Sequence, residues 1–299
     1  MLPTEIIDRY RVRKGSEFRL ADFDPNDTCG LDIDKDDAKQ LLATGVKRLA
    51  GLQDRLWAND RWAILVILQG IDTSGKDGVI KHVMSGVNPQ GCEVHSFKAP
   101  SEQEIDHDFL RRASVALPPR GKIGIFNRSY YEETIVVRVH PEFLQKQRLP
   151  QKLITDEIWS QRFNDINNFE SYLARNGVLT LKFFLNISKK EQLGRLVARI
   201  DDPEKRWKFA AHDVEERKLW DPYMQVYEQT IRNTATKDAP WYVVPANHKW
   251  FTRLVVAAAL VEQLEALDLQ LPKLDAATLA QLETIRAELI AQKPKNNKG

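Results

Sequence analysis

The sequence predicts an α/β fold: three layers, α/β/α, around a five-stranded parallel sheet, with a helical lid. Three observations predict it. Short apolar runs recur at Ala63–Leu68, Val94–Phe97, Ile123–Phe126, Val178–Leu185 and Trp241–Val244, separated by longer stretches with helical periodicity. Strands that alternate with helices wind into a parallel sheet. The segment Gly70-Ile71-Asp72-Thr73-Ser74-Gly75-Lys76-Asp77 follows the first run and opens a helical stretch from Lys76 to Met84. Residues 189–234 carry almost no strand pattern and are rich in Arg, Lys, Asp, Glu and Trp, which suits two helices joined near Asp202-Pro203 and placed as a lid.

Taken in chain order, residues 1–60 read as an N-terminal helical extension. Leu41, Leu42, Val46, Leu49, Leu52 and Leu56 recur at helical spacing within residues 32–60, so an amphipathic helix is expected to pack onto the domain that follows. Seven aspartates lie between Asp22 and Asp37. Asp32, Asp34 and Asp36 have the first spacings of an EF-hand, but Asp37 stands where the turn needs Gly and Ala43 where a bidentate Glu is required. Solvated turns and a helix cap remain as the reading. The stretch from Asp275 to Ile290 repeats apolar residues at helical spacing and ends in a polar tail with Lys293, Lys295 and Lys298. With 299 residues, 42% of them hydrophobic, and no internal repeat or linker, residues 1–299 are expected to form a single domain.

Composition narrows the class. No stretch approaches about 18 consecutive apolar residues, and the start lacks the basic-then-apolar order of a secretory signal, so a cytoplasmic protein away from membranes is expected. Cys29 and Cys92 have no metal-ligand or C-x-x-C spacing, which argues for plain thiols. The net charge of +2 is small, yet Lys76, Lys81, Lys98, Arg111, Arg112, Arg120, Lys122 and Arg128 crowd the segment around the glycine-rich loop. Because these cations converge on one loop instead of forming a stripe interleaved with aromatics, nucleic acid is not the expected partner.

That loop reads as a phosphate-binding P-loop. Gly70 and Gly75 let the backbone wrap closely, so that N–H groups of Thr73, Ser74 and their neighbours, the helix N-terminus and Lys76 face phosphate. Phosphoryl transfer on a P-loop kinase-like fold follows. Asp77 stands where an ordinary P-loop has the Ser or Thr hydroxyl that binds magnesium, so the metal needs another ligand; Asp72 is the nearest candidate, with bracing of the turn as the alternative. In the run Gly124-Ile125-Phe126-Asn127-Arg128-Ser129-Tyr130-Tyr131-Glu132-Glu133, Asn127 takes the place of the acid expected at a strand end. A neutral amide adds no charge to a divalent ion, so Glu132 or Glu133 is expected to complete the metal shell. Arg128 faces the same pocket as a bidentate phosphate ligand. Arg195 and Arg199 share a helix face at i, i+4, where like charges repel unless an anion lies between them. With Lys208 they form a cationic segment suited to closing over phosphates.

These elements, with Phe97-Lys98-Ala99-Pro100-Ser101 between them, resemble the polyphosphate kinase 2 family, and its class III members in particular. The wording is long: Leu68-Gln69-Gly70-Ile71-Asp72, Gly75-Lys76-Asp77-Gly78, Ile80 through Cys92, and Phe126-Asn127-Arg128-Ser129 with Tyr131-Glu132, within a likeness spanning roughly residues 20 to 270. The resemblance implies that Gly70–Lys76 holds the polyphosphate end, that Asp72 with Glu132 places magnesium, with manganese as an alternative, and that Lys81, Lys98, Arg128, Arg199 and Lys208 contact phosphate, as Asp77 does within the loop. Asn127 followed by Glu132 is the class III pattern. Arg111 departs from it and is given no role. The partners implied are inorganic polyphosphate and the adenine nucleotides AMP and ADP, with guanine nucleotides as an alternative, in a homo-oligomer, dimer or tetramer. Two rivals stay open: an ATP-dependent nucleoside monophosphate kinase, which Asp77 counts against, and a polyphosphate-binding protein without catalysis. Trp207, Trp220, Trp241 and Trp250 could stack a base or pack the core.

Overall fold

The structure is a computed structural model and describes residues 4–210 and 212–292, without the side chain of Lys208. Phosphate contact by Lys208 and the polar tail with Lys293, Lys295 and Lys298 therefore lie outside the described residues. The chain divides into two compact units, Met1–Leu269 and Gln270–Gly299.

In the first unit the helices are α1 (Thr4–Tyr10), α2 (Lys35–Asn59), α3 (Lys76–Val83), α4 (Ile158–Arg175), α5 (Lys189–Asp201), α6 (His212–Lys218), α7 (Trp220–Thr234) and α8 (Lys249–Ala266), with shorter turns between them. The strands are β1 (Arg11–Val12), β2 (Ala63–Gln69), β3 (Cys92–Ser96), β4 (Ile123–Asn127), β5 (Val178–Asn186) and β6 (Trp241–Pro245), in the order β1-β6-β5-β2-β4-β3. The five expected strands form the parallel part. The sheet has a sixth strand that the sequence reading lacked: β1 pairs antiparallel with β6, Arg11 opposite Tyr242 and Val12 opposite Trp241. Two residues are too few to show a period of two.

The central strand β2 is buried along its whole length, which is why it reads as an unbroken apolar run. Its side chains alternate between two cores. Ile64, Val66 and Leu68 pack with Leu49, Leu52 and Leu56 of α2, Val79 and Val83 of α3 and the apolar face of α8. Leu65 and Ile67 pack on the other side with Ile166 of α4 and with Tyr227 and Ile231 of α7. Each fully buried side chain of this kind contributes roughly 1.5–3 kcal/mol, so the three layers are held by both faces of one strand. The aspartate-rich segment ends as a cap, with the Asp34 carboxylate accepting from the N–H groups of Asp36 and Asp37 at 2.8 Å.

The region expected as a two-helix lid holds three helices. After α5 come a 3-10 turn, Arg206–Lys208, then α6, and then α7, whose Tyr223, Tyr227 and Ile231 are core residues. The apolar face of α7 makes it part of the α/β/α sandwich, leaving the end of α5, the turn and α6 over the site. Trp241 is fully buried and donates to Thr234 Oγ1 at 2.9 Å, so its role is packing. Both cysteines are free thiols. Among the described residues no helix is long and apolar enough to cross a membrane.

In the second unit, α9 (Ala276–Ala291) is capped by Asp275, whose carboxylate accepts from the Thr278 N–H at 2.7 Å; none of its described residues is buried.

Candidate active site

Parallel pairing places the carboxyl ends of β2 and β4 together, Leu68 opposite Asn127, and the chain leaves both strands in left-handed conformations. Gly70 has φ 151°, and a Cβ there would lie 2.7 Å from Ser74 Oγ, so the loop closes only around glycine. Thr73 at φ 65° and Arg128 at φ 64° adopt the same region with side chains, a strain that marks a constrained site. The Arg128 N–H donates to Leu68 O at 3.0 Å, locking the two strand ends to each other.

Lys76, the first residue of α3, is only 8% exposed. Its ammonium donates to Gly70 O at 2.6 Å and Ile71 O at 3.2 Å, within the loop that it serves. Burial, followed by the charge of Arg128, lowers its pKa to about 8, although Asp72, Glu132 and Asp77 pull the other way. A cation destabilised in this manner gains most when phosphate arrives.

Asp72, Arg128 and Glu132 form a chain of charges beside the loop: Arg128 Nη2 to Asp72 Oδ1 is 2.6 Å and Arg128 Nη1 to Glu132 Oε2 is 3.3 Å. Burial works against the guanidinium charge, but Glu132 and Asp72 outweigh it and raise the pKa of Arg128. The Asn127 amide donates to Asp77 Oδ1 at 2.8 Å, so the two positions that depart from an ordinary P-loop site hold each other. Glu133, the alternative to Glu132, turns inward: it is buried, accepts from Gln147 at 2.5 Å and pairs with Arg162 at 3.3 Å. Of the two glutamates, Glu132 faces the pocket.

The turn Tyr130–Thr134 that carries Glu132 is tied to the core. Both tyrosine hydroxyls, of Tyr130 and Tyr131, donate to Glu170 Oε1 at 2.7 Å. Glu170 pairs with Lys182 at 2.6 Å, and Lys182 also donates to Tyr131 Oη at 3.0 Å and Thr234 O at 2.7 Å. Lys182 and Glu170 are fully buried, and burial lowers the pKa of Lys182 despite its partner.

Arg195 does not wait for an anion, contrary to the sequence reading. Its Nη1 donates to Thr73 O and Ser74 O at 3.0 and 3.1 Å, its Nη2 to Ala246 O and Asn247 O at 2.5 and 3.1 Å, and its Nε to Glu191 at 2.8 Å. The guanidinium clamps the outer side of the P-loop to the end of β6. Arg199 pairs with Asp213 of α6 at 3.1 Å. The i, i+4 repulsion between these arginines is thus relieved inside the protein.

A cleft of about 900 Å³ opens over the P-loop, lined by Asp72–Val79, Phe97, Lys98, Asn127, Arg128 and Arg199, and by Arg195, Lys205, Lys249 and Arg253. A second pocket of about 310 Å³ meets it at Asp72 and Arg128 and is lined by Gly70, Glu132, His140, Phe143, Glu216 and Tyr223 among others. Of the expected residues, Thr73, Ser74, Gly75, Lys76, Asp77, Lys98 and Arg199 converge on the larger cleft, whereas exposed Lys81, further along α3, is not among its lining residues. The sequence reading missed Lys249, Arg253, His140 and Glu216. Lys249 and Arg253 follow the carboxyl end of β6, where ligands of such sheets gather, and that rule could have found them.

Asp72 and Glu132 are the carboxylates beside the P-loop that a magnesium ion would need, and Arg128 engages both of them. Among the described residues no group of three or more His, Cys, Asp or Glu could hold a metal alone. Magnesium needs less, taking one or two carboxylates, water and substrate phosphates.

Comparison with known proteins identifies the family. The family description polyphosphate kinase 2 (PPK2) matches residues 32–272. The chain is 46% identical over 283 residues to an ADP-polyphosphate phosphotransferase of Rhodopseudomonas palustris, covering 94% of this chain and 98% of the relative. It is 45% identical over 270 residues to an AMP/ADP-polyphosphate phosphotransferase of Meiothermus ruber, covering 90% and 97%. The crystal structure of polyphosphate kinase 2 from Arthrobacter aurescens TC1 superposes with a TM-score of 0.83 at 41% identity, covering 91% of this chain and 95% of that one.

Proposed function

Because the chain belongs to the polyphosphate kinase 2 family, we propose that its cleft transfers phosphate between inorganic polyphosphate and both AMP and ADP, forming ADP and ATP. It is a polyphosphate:nucleotide phosphotransferase. The observation that carries the wider acceptor range is the Asn127–Asp77 pair beside Arg128 and Glu132, a neutral amide where an acid would complete an ordinary site.

In this reading the P-loop N–H groups and Lys76 hold the terminal phosphates of the donor. Arg128 and Lys98 neutralise charge that spreads over the transferring group. An oxygen of the nucleotide's terminal phosphate attacks the terminal phosphorus of polyphosphate in line, and the P–O bond to the rest of the chain breaks, leaving polyphosphate one unit shorter. The nucleophile is already ionised near neutral pH, so the residues position and neutralise instead of removing a proton. Asp72 and Glu132 would hold magnesium, or manganese in its place, which supplies Lewis-acid stabilisation of phosphate oxygens. Both sides of the reaction contain phosphoanhydrides, so it is reversible. A cytoplasmic homo-oligomer, dimer or tetramer, is the setting we assign, with guanine nucleotides as secondary acceptors.

The test supplies purified protein with AMP or ADP, magnesium and polyphosphate but no ATP, beside Lys76→Ala. ADP and ATP forming from AMP, and vanishing in the variant, is the expected result. Activity from ADP alone removes the double acceptor range. Transfer that begins only when ATP is supplied turns the protein into a conventional nucleotide kinase.

A further inference from the structure

α5 presents two unlike faces. Arg195, Ala198 and Arg199 line the main cleft, and Gln192 and Leu196 are buried. Leu193, Val197 and Ile200, at i, i+4 and i+7, are 49%, 47% and 44% exposed. With 3.6 residues per turn, these three fall within about 60° of one another and on the side of the helix opposite the cleft-lining residues. A ligand in the cleft is out of their reach. A surface helix ordinarily keeps this side polar. Three aliphatic side chains in line, followed in the next turn by Trp207 at 77% exposed, make an apolar surface of the kind that marks a contact. Gly194 lies beside the stripe, and a Cβ there would meet nothing within 4 Å, so another helix can come close on that side.

The ends of α5 carry opposite charges. Lys189 and Lys190 open the helix and Asp201 closes it. Lys190 and Asp201 are both exposed, on the Gly194 side of the stripe, and among the described residues neither side chain makes a hydrogen bond or an ion pair. This pattern complements its own reverse. Set antiparallel to a second α5 about a two-fold axis near Val197, the helix lays Leu193 of one copy against Ile200 of the other. The two Val197 side chains then meet, and Lys190 of each copy faces Asp201 of the other. A two-fold contact requires a surface that fits itself, and a parallel pairing would set lysine against lysine.

We propose that the outer face of α5 is a two-fold interface with a second copy of this chain, in which the Lys190–Asp201 pair forms twice. The interface rests on the homo-oligomer assigned above and not on which nucleotide the cleft accepts. Because Arg195 on the inner face clamps the P-loop, the helix pair braces two active sites through their lids.

The test is sedimentation velocity on the full chain across a range of concentrations, with far-ultraviolet circular dichroism to check folding. Val197→Glu places two like charges at the axis and is expected to halve the sedimenting mass while the spectrum stays that of the wild type. Lys190→Glu and Asp201→Lys each set like charges face to face and are expected to weaken association about tenfold or more. Combined, they rebuild the pair in reverse and are expected to restore it. Val197→Cys is expected to yield a disulfide-linked dimer on mild oxidation, and Lys47→Cys, exposed on α2, none. An oligomer that survives Val197→Glu, a double reversal that restores nothing, or the lack of that crosslink overturns the interface and leaves the oligomer to another face. A wild type that sediments as a monomer at every concentration overturns the homo-oligomer on which the interface rests.

Discussion

Lys76 is held where its charge is least comfortable and most useful, and that sets a pH dependence. The folded amine has a pKa near 8 against an ordinary 10.5, so between those values the unfolded chain binds more protons and stability rises with pH. Bound phosphate restores the proton. Polyphosphate affinity is therefore expected to be flat below about pH 7.5 and to weaken by up to about tenfold per unit above pH 8, as titration calorimetry from pH 7 to 9.5 would show; Lys76→Met should be weak and flat throughout. Arg195 yields a second expectation. Arg195→Ala leaves P-loop carbonyls without their donor, and misplacement of the loop should lower kcat at least tenfold or so while the KM for AMP moves less. Arg195→Lys should not rescue it, because an ammonium has three donors where the guanidinium engages four carbonyls and a carboxylate. Faster hydrogen exchange at residues 72–76 would accompany the loss. Asp72 and Lys76 were legible as neighbours because one short loop after β2 holds both, and Arg128 and Glu132 because both follow the end of β4, the strand that pairs with β2. Arg195 was misread because its partners are backbone carbonyls more than 50 residues away in either direction along the chain, and carbonyls leave no trace in side-chain identity.

Among the elements, the turn Tyr130–Thr134 depends on the strand and helix behind it. Lys182→Met alone leaves the Glu170 carboxylate buried without its cation and is expected to cost about 3–5 kcal/mol. Lys182→Met with Glu170→Leu should recover much of that stability in urea unfolding, yet leave Tyr130 and Tyr131 without their acceptor and so lower activity. A double variant as active as the wild type would show that the buried pair serves stability alone. The strands were legible because β2, β4 and β6 are apolar over most of their length and β5 is interrupted only by Thr180 and Lys182 before its final Asn186, and α2 because its leucines keep a helical period. The boundary between lid and sandwich was not, since α7 has the polar surface of a lid on one side and Tyr227 and Ile231 on the other. The direction in which Glu132 and Glu133 part was also hidden, because it depends on Arg162 of α4 and on Gln147.

For the whole molecule, the second unit contributes no buried residue through α9. A chain ending at Leu269 is expected to keep its kcat and KM within about twofold, the scale of a surface change; a loss beyond tenfold would show that residues after Leu269 complete the active form. The opposite end is bound quite differently. Ile7, Tyr10 and Val12 are buried, Arg11 pairs with Glu262, and β1 meets a partner strand about 230 residues further along the chain. Synthesis proceeds at roughly 5–20 residues per second, so this segment must wait on the order of 10–50 s for the strand on which it docks. During that interval the apolar segment Ile7–Val12 has nothing to dock on, and protease added to stalled nascent chains should cut between α1 and α2 until β6 has emerged.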